Sequence, residues 1–326
     1  MGFTDNFKYN YQKKFLLSSI QDKNSNEVFK QVNKLINSNN PIFYKLILEN
    51  INSIQILLEN VDNPIKNIIW INSFSDPEAQ IIESFLKYYF DRIDIERRVH
   101  FNYYSDEIID CLKPFKEELD IDMSNFVYNS EFYQLLISMK KQDKTIFLKN
   151  HIAFFEHEPE KKFTYTNYTQ SYLYILRDPL KIYCNLKNDK LSTQEAQNFL
   201  LNLDQKPSDE FIHKYNLKHK LEINRMSWSK NVASWDDYNV VNTHRGLILK
   251  LEDIFEEPNY YFANIISHIK QFGLDIELNY DFIEEYSKKF EKNKTELPIC
   301  DISQKEIKAI KRDLSEKSNQ YLYKLS

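Results

Sequence analysis

Apolar and polar positions follow two different rhythms along this chain, and the rhythm changes near Lys66. Between Ser25 and Ile36 the apolar residues are Val28, Phe29, Val32, Leu35 and Ile36. The next stretch places Phe43, Ile47, Ile51, Ile54 and Leu58 at steps of three and four. That spacing puts each set on one face of a helix. Pro41 lies where a first helical turn would begin, a position at which its missing N–H costs nothing. Residues 25–60 therefore read as a pair of amphipathic helices, and residues 1–65 as a helical extension of a larger domain over residues 66–326, which either packs on that domain or serves as a partner-binding module. Residues 1–24 show no stripe and read as a loosely ordered start.

Beyond Lys66 the pattern shortens. Ile68-Ile69-Trp70-Ile71, Thr145-Ile146-Phe147-Leu148, Tyr172 to Leu176 and Gly246 to Leu251 are nearly continuous runs of strand-forming residues. Helical patterns lie between them: Ile82, Phe85, Leu86 and Tyr89 follow the first run, and Phe262, Ile265, Ile266, Ile269 and Phe272 follow the last. Strands this apolar, separated by helices, predict an α/β fold with a parallel sheet of four or five strands covered on both faces. Two more helices are announced by capping-box spacing, Ser192 with Glu195 and Ser303 with Glu306.

Composition narrows the chemistry. The 326 residues include 22 Tyr and 23 Phe, enough bulk for a packed core. The net charge of −5, with lysines and acids mixed throughout, argues against a nucleic-acid surface, which shows a basic excess. No apolar run reaches the ~20 residues that span a bilayer, and the polar first thirty residues carry no apolar leader core. Cys111, Cys184 and Cys300 are odd in number and far apart, which predicts free thiols, no disulfide framework and a cytoplasmic setting. With 3 Gly in the chain, neither GxxxxGK[ST] nor GxGxxG is present, which disfavours nucleotide hydrolysis and dinucleotide redox chemistry. His151 and His157, flanked by Glu156 and Glu158, do not share a helix face, and no metal site is expected.

In an open parallel sheet, ligands bind beyond the carboxyl ends of the strands. Three segments fall there: the loop from Ser73 to Gln80, the tripeptide Lys149-Asn150-His151, and the turn Arg177-Asp178-Pro179. An arginine fork at such a turn suits a phosphate. Each segment also has a plainer reading: Lys149 and His151 as a strand end bonded locally, Arg177 as a surface turn residue. Trp228 and Trp235, seven apart, read as core packing on a helix.

Those segments, in that order, resemble the PAPS-dependent sulfotransferases of bacterial type, PAPS being 3′-phosphoadenosine-5′-phosphosulfate. Tyr172 to Asn185, YLYILRDPLKIYCN, is similar to the family's strand and turn that hold the 3′-phosphate, with Arg177 and Asn185 in the gripping positions. Phe147 to His151 resembles the Lys-Thr-His segment, and the resemblance implies His151 as general base and Lys149 facing the sulfuryl group. Trp228 to Trp235 (WSKNVASW) and Leu249 to Pro258 (LKLEDIFEEP) resemble the family's Trp-rich helix and Tyr-Glu-Asp strand end, Leu251 standing for the Tyr. The resemblance covers residues 66–298 and implies the P-loop-like sulfotransferase fold, PAPS as cofactor and a small-molecule or glycan acceptor. It also implies a cofactor-binding set of Arg177, Asn185, Ser73 and Gln80.

The departures concentrate in the loop for the 5′-phosphosulfate. Where the family has Pro, a basic residue, Ser, Gly and two polar residues, this chain has Ser75, Asp76, Pro77, Glu78, Ala79 and Gln80. Pro77 removes a backbone donor, Glu78 replaces the Gly that lets a phosphate approach, and two acids face the anion. The family's late Arg-Lys-Gly element is not visible between Lys292 and Ser303. Three functions are consistent with this pattern: sulfuryl transfer from PAPS to a hydroxyl or amine; a catalytically degenerate sulfotransferase-fold protein acting as a binding or scaffolding subunit, in a homo-oligomer or with an active paralogue; and transfer from another donor.

Overall fold

Five strands form the sheet on which the candidate site is built, in the spatial order β2-β3-β1-β6-β7. In the computed structural model, residues 3–62, 65–115, 130–151, 156–158, 161–162, 164–189, 191–201, 227–292 and 302–320 are described. The strands are β1 (Ile68–Ser73), β2 (Val99–Tyr103), β3 (Thr145–Asn150), β6 (Thr169–Leu176) and β7 (Gly246–Lys250); β4 (Glu156–Glu158) and β5 (Lys161–Lys162) pair separately as an antiparallel ribbon. The five-stranded sheet is parallel and flanked by helices, the α/β class expected from the sequence. Every residue of β1 and of β6 is buried, as required of strands covered on both faces.

Four helices precede the sheet: α1 (Phe3–Gln21), α2 (Ser25–Asn37), α3 (Pro41–Glu49) and α4 (Ile51–Leu58). Two expectations are corrected here. The patternless start is a helix of 19 residues. Its sequence lacks a continuous stripe, but Leu16 and Ser19 are buried against its neighbours, and tertiary packing of that kind carries most helices in proteins. The second expected helix is two helices, broken at Asn50, whose side-chain amide donates to the Leu46 carbonyl at 2.8 Å. Asn competes with the helix ladder in this way, and an apolar periodicity that runs through the break cannot reveal it.

Then come α5 (Asp76–Arg92), α6 (Tyr104–Leu112), α7 (Ser130–Lys140), α8 (Pro179–Asn188), α9 (Thr193–Leu201), α10 (Trp228–Trp235), α11 (Tyr238–His244), α12 (Leu251–Glu256), α13 (Pro258–Gln271), α14 (Tyr280–Lys292) and α15 (Gln304–Gln320). Both capping boxes form: Ser192 N–H donates to Glu195 Oε2 at 2.8 Å, and Ser303 N–H to Glu306 Oε2 at 2.8 Å. Strand β2 was not expected from the sequence. It is only partly buried beyond Val99, so it lacks the apolar run that marked the others.

The chain divides into two compact units, Met1–Ile68 with Asn102–Ile146 and Glu156–Gln170, and Ile69–Phe101 with Phe147–Phe155 and Ser171–Ser326. The second unit has a core in which Ile69, Ile71, Phe85, Phe147, Leu173 and Phe262 are buried together. The cysteine expectation is also corrected. Cys111 is free and buried, but Cys184 is disulfide-bonded, so the argument for a reducing compartment falls. Distance along the chain says nothing of distance in space. Cys300 lies outside the described residues.

The first residue of β7 packs tightly on its partner in the middle of β6. Tyr172 pairs with Gly246, and a Cβ added to Gly246 would lie 2.1 Å from Tyr172 Cζ. The ring cannot swing aside, because it is fully buried, packs on Trp235 at 5.0 Å and donates its hydroxyl to the Trp235 carbonyl. Gly246→Ala is expected to lower stability by about 1–3 kcal/mol, the range for overpacking a filled site. Tyr172→Phe, which keeps Cζ, should leave that penalty in place, whereas Tyr172→Ala should largely remove it in a double-mutant cycle read by denaturant unfolding.

His268 of α13 is buried nearby, and burial pushes its pKa down from 6.5 to about 4. The unfolded chain thus binds the extra proton first, between pH 6.5 and about 4. Stability from this group is present above pH 6.5 and lost as the pH falls toward 4, by about 3 kcal/mol in total. His268→Leu should flatten the wild-type stability profile across that window. Identical slopes in the two proteins would rule out this assignment.

Candidate functional site

The order of strands places the ends of β3, β1 and β6 side by side. The chain leaves β1 toward one side of the sheet and returns on the other, so the switch point lies at the carboxyl end of β1. Sequence reasoning named residues at these three ends, and the structure brings them into one buried cluster within the second unit.

The turn after β1 is shorter than expected. Helix α5 begins at Asp76, so Gln80 is helical and not part of a loop. Ser75 has extended dihedrals at the N-cap, Pro77 occupies the first turn and Glu78 the third helical position, three residues suited to a helix start. The Asp76 side chain lies outside the described residues. Ser73, the last residue of β1, is buried and donates its hydroxyl to the Ser75 carbonyl at 2.5 Å.

Glu78 is the residue whose placement decides the site. It is 1% exposed, and its Oε1 lies 2.9 Å from Arg177 Nη1, at the end of β6. Its Oε2 accepts from the Ser75 hydroxyl at 2.6 Å. Burial pushes the Glu78 carboxyl above the usual carboxylate range, and Arg177 and the Ser75 hydroxyl pull it back only in part. Arg177 itself is 6% exposed, which corrects the plainer reading of a surface turn. Its carbonyl accepts from Trp228 Nε1 at 3.1 Å, tying the turn to α10.

Lys149 has the same kind of company. It is 4% exposed, pairs with Glu83 of α5 and donates to Gln80 Oε1 at 3.1 Å. Glu83 is also held by Lys87, one helical turn on, at 2.6 Å. Asn150 is the last residue of β3, not a loop residue, and donates to Asn72 Oδ1 of β1. His151 follows the strand, buried, with Nδ1 3.0 Å from the Ser73 carbonyl and 3.4 Å from its hydroxyl. A carbonyl can only accept, so Nδ1 carries the proton in the neutral ring and Nε2 is the basic nitrogen.

Asn231 of α10 was not singled out by the sequence. It donates to the His151 carbonyl at 3.0 Å and accepts from the Tyr174 hydroxyl at 2.8 Å, fixing the backbone behind the imidazole. An Asn among the buried positions of the Trp228 helix was the only available signal. Trp228 and Trp235 are both buried, as the packing reading expected.

Asn185 lies on the helix that follows the Arg177 turn. It is half-buried on α8, whose N-terminus is capped by the Asp178 carboxylate accepting from Leu180 N–H at 2.8 Å. Residues 202–226 lie outside the described residues. So do residues 293–301, where the Arg-Lys-Gly element was sought, and the side chains of Glu156, His157 and Glu158. Among the described residues, no group of three or more His, Cys, Asp or Glu side chains is placed to hold a metal, and no helix is long and apolar enough to cross a membrane. No family model matches the chain, and no curated protein sequence matches it.

Proposed function

We propose that this chain is a sulfotransferase-like protein of P-loop-like fold whose donor site is filled by its own side chains, so that it works as a binding or scaffolding subunit and does not transfer sulfuryl groups from PAPS. The observation that carries this reading is the Glu78–Arg177 pair, buried at 1% and 6% exposure with 2.9 Å between charged atoms. In the resembled family an arginine at this turn grips a phosphate. Here a carboxylate from the first turn of α5 stands in for the anion, and the positive end of the helix favours it there. Lys149, the cation that would face a sulfuryl group, is likewise neutralised by Glu83. An entering phosphate would have to displace buried carboxylates from both cations, and like charges within ~4 Å oppose it by about 1–4 kcal/mol each.

A second reading, sulfuryl transfer to a hydroxyl or amine, is favoured by one feature. His151 has the tautomer of a general base, Nδ1–H held by the Ser73 carbonyl and Nε2 basic. The two readings part on adenosine 3′,5′-bisphosphate, the product of PAPS. With the donor site filled, millimolar bisphosphate should leave the melting temperature unchanged and give no calorimetric heat of binding. A rise in melting temperature that disappears in Arg177→Ala would overturn the proposal in favour of the transferase, because only a ligand bound to the native state stabilises it.

A further inference from the structure

In the unit that holds the N-terminal helices, a narrow cleft is walled by Phe29 of α2, Leu58 at the end of α4, and Leu135 and Met139 of α7. Besides Asn167, two hydroxyl-bearing residues break this apolar wall, Ser138 of α7 and Tyr168 just before β6. Their hydroxyls are shut off from bulk solvent and have no hydrogen-bond partner among the described residues. Leaving a buried hydroxyl unpaired lowers a folding constant about tenfold. Two in one cleft call for a shared partner.

Neither side chain is placed by chance. The Tyr168 carbonyl accepts from Ile68 N–H at 3.0 Å, and its N–H donates to the Tyr165 carbonyl at 3.2 Å. The Ser138 carbonyl accepts from Asn67 Nδ2 at 3.2 Å, and the same amide reaches the Lys141 carbonyl at 3.1 Å. Backbone bonds therefore pin both residues where their hydroxyls are. Burial pushes the Tyr168 phenol well above its ordinary pKa, so it stays an O–H donor. The enclosed part of the cleft has room for one water-sized molecule and nothing larger.

We propose that this cleft is a binding site for a single ordered water that bridges Ser138 Oγ and Tyr168 OH. Each hydroxyl donates and accepts, so one water satisfies both and links α7 to the segment that leads into β6. The ligand is set by size and by the wall: an organic solute is too large, and an ion would lack a counter-charge among the lining residues.

The sign of a mutation tests this. If the water is present, Tyr168→Phe and Ser138→Ala should each lower the folding constant about fivefold, measured by urea unfolding, as loss of a hydrogen-bonded hydroxyl does. Because both act through one water, the double variant should lose less than the product of the two. If the hydroxyls are truly unpaired, Tyr168→Phe should leave the folding constant unchanged or raise it, and that result overturns the proposal. Strict multiplicativity in the double variant overturns it too. A crystal structure should show one water about 3 Å from both hydroxyls; either hydroxyl bonded directly to a protein group would refute the bridge.

Discussion

Glu78→Ala should destabilise the protein by about 3–5 kcal/mol, the range expected when one partner of a buried ion pair is removed. The charge left behind is Arg177, 6% exposed, with its carbonyl held by Trp228. Two further variants distinguish this cause from a general packing defect. Replacing both charges, Glu78→Leu with Arg177→Met, should recover most of the loss, because the desolvation penalty goes with the charges. An added oxyanion should also rescue Glu78→Ala but not the double variant. Sulfate or adenosine 3′,5′-bisphosphate at a hundred times its dissociation constant would return about 2.7 kcal/mol by mass action. Denaturant melts with and without ligand measure all three. A loss below 1 kcal/mol in Glu78→Ala would show that Arg177 has another counter-charge, and the self-filled donor site would have to be abandoned.

The sequence carried the strand ends and withheld what happens between them. Ile68 to Ile71, Thr145 to Leu148 and Tyr172 to Leu176 were legible because strands buried on both faces have nothing to alternate; Gly246 to Leu251 was legible from its Leu and Ile residues alone, since β7 is mostly half-buried. The β2 edge of the sheet was not legible: the strand is half-buried, and its five residues carry too little signal to be told from a loop. The convergence of Lys149, His151 and Arg177 followed from the parallel sheet alone. Their partners did not. Reading Asp76 and Glu78 as charges that repel a cofactor assumed an open loop, whereas a capped helix start turns Glu78 inward onto Arg177. The same holds for Lys149, which a strand-end position makes available for a ligand and which Glu83, one turn farther along α5 than Gln80, in fact engages. Ion pairs between elements depend on which faces meet, and a single sequence does not encode that in any local pattern.

The N-terminal helices give the other large effect, because one helix carries two isoleucines in opposite settings. Ile54 of α4 is fully buried and Ile56, two residues on, is 63% exposed. Two residues apart is about half a turn of helix, so the pair samples both faces of the same element. Ile54→Asp removes a side chain whose truncation alone costs about 2–5 kcal/mol and leaves a carboxylate in an apolar core. The expected loss is at least about 4 kcal/mol, enough to lower the melting temperature sharply. Ile56→Asp should change stability by no more than about 0.5 kcal/mol, as surface substitutions do. The contrast holds whatever the helix propensities contribute, since both variants introduce the same residue into the same helix. Light scattering on Ile56→Asp adds a second reading: an unchanged mass leaves this face in solvent, whereas a fall in mass would make it a contact between copies of the chain. Equal effects on stability at the two positions would mean that α4 does not pack in the orientation seen here, and that its apolar stripe is buried through some other residue than Ile54.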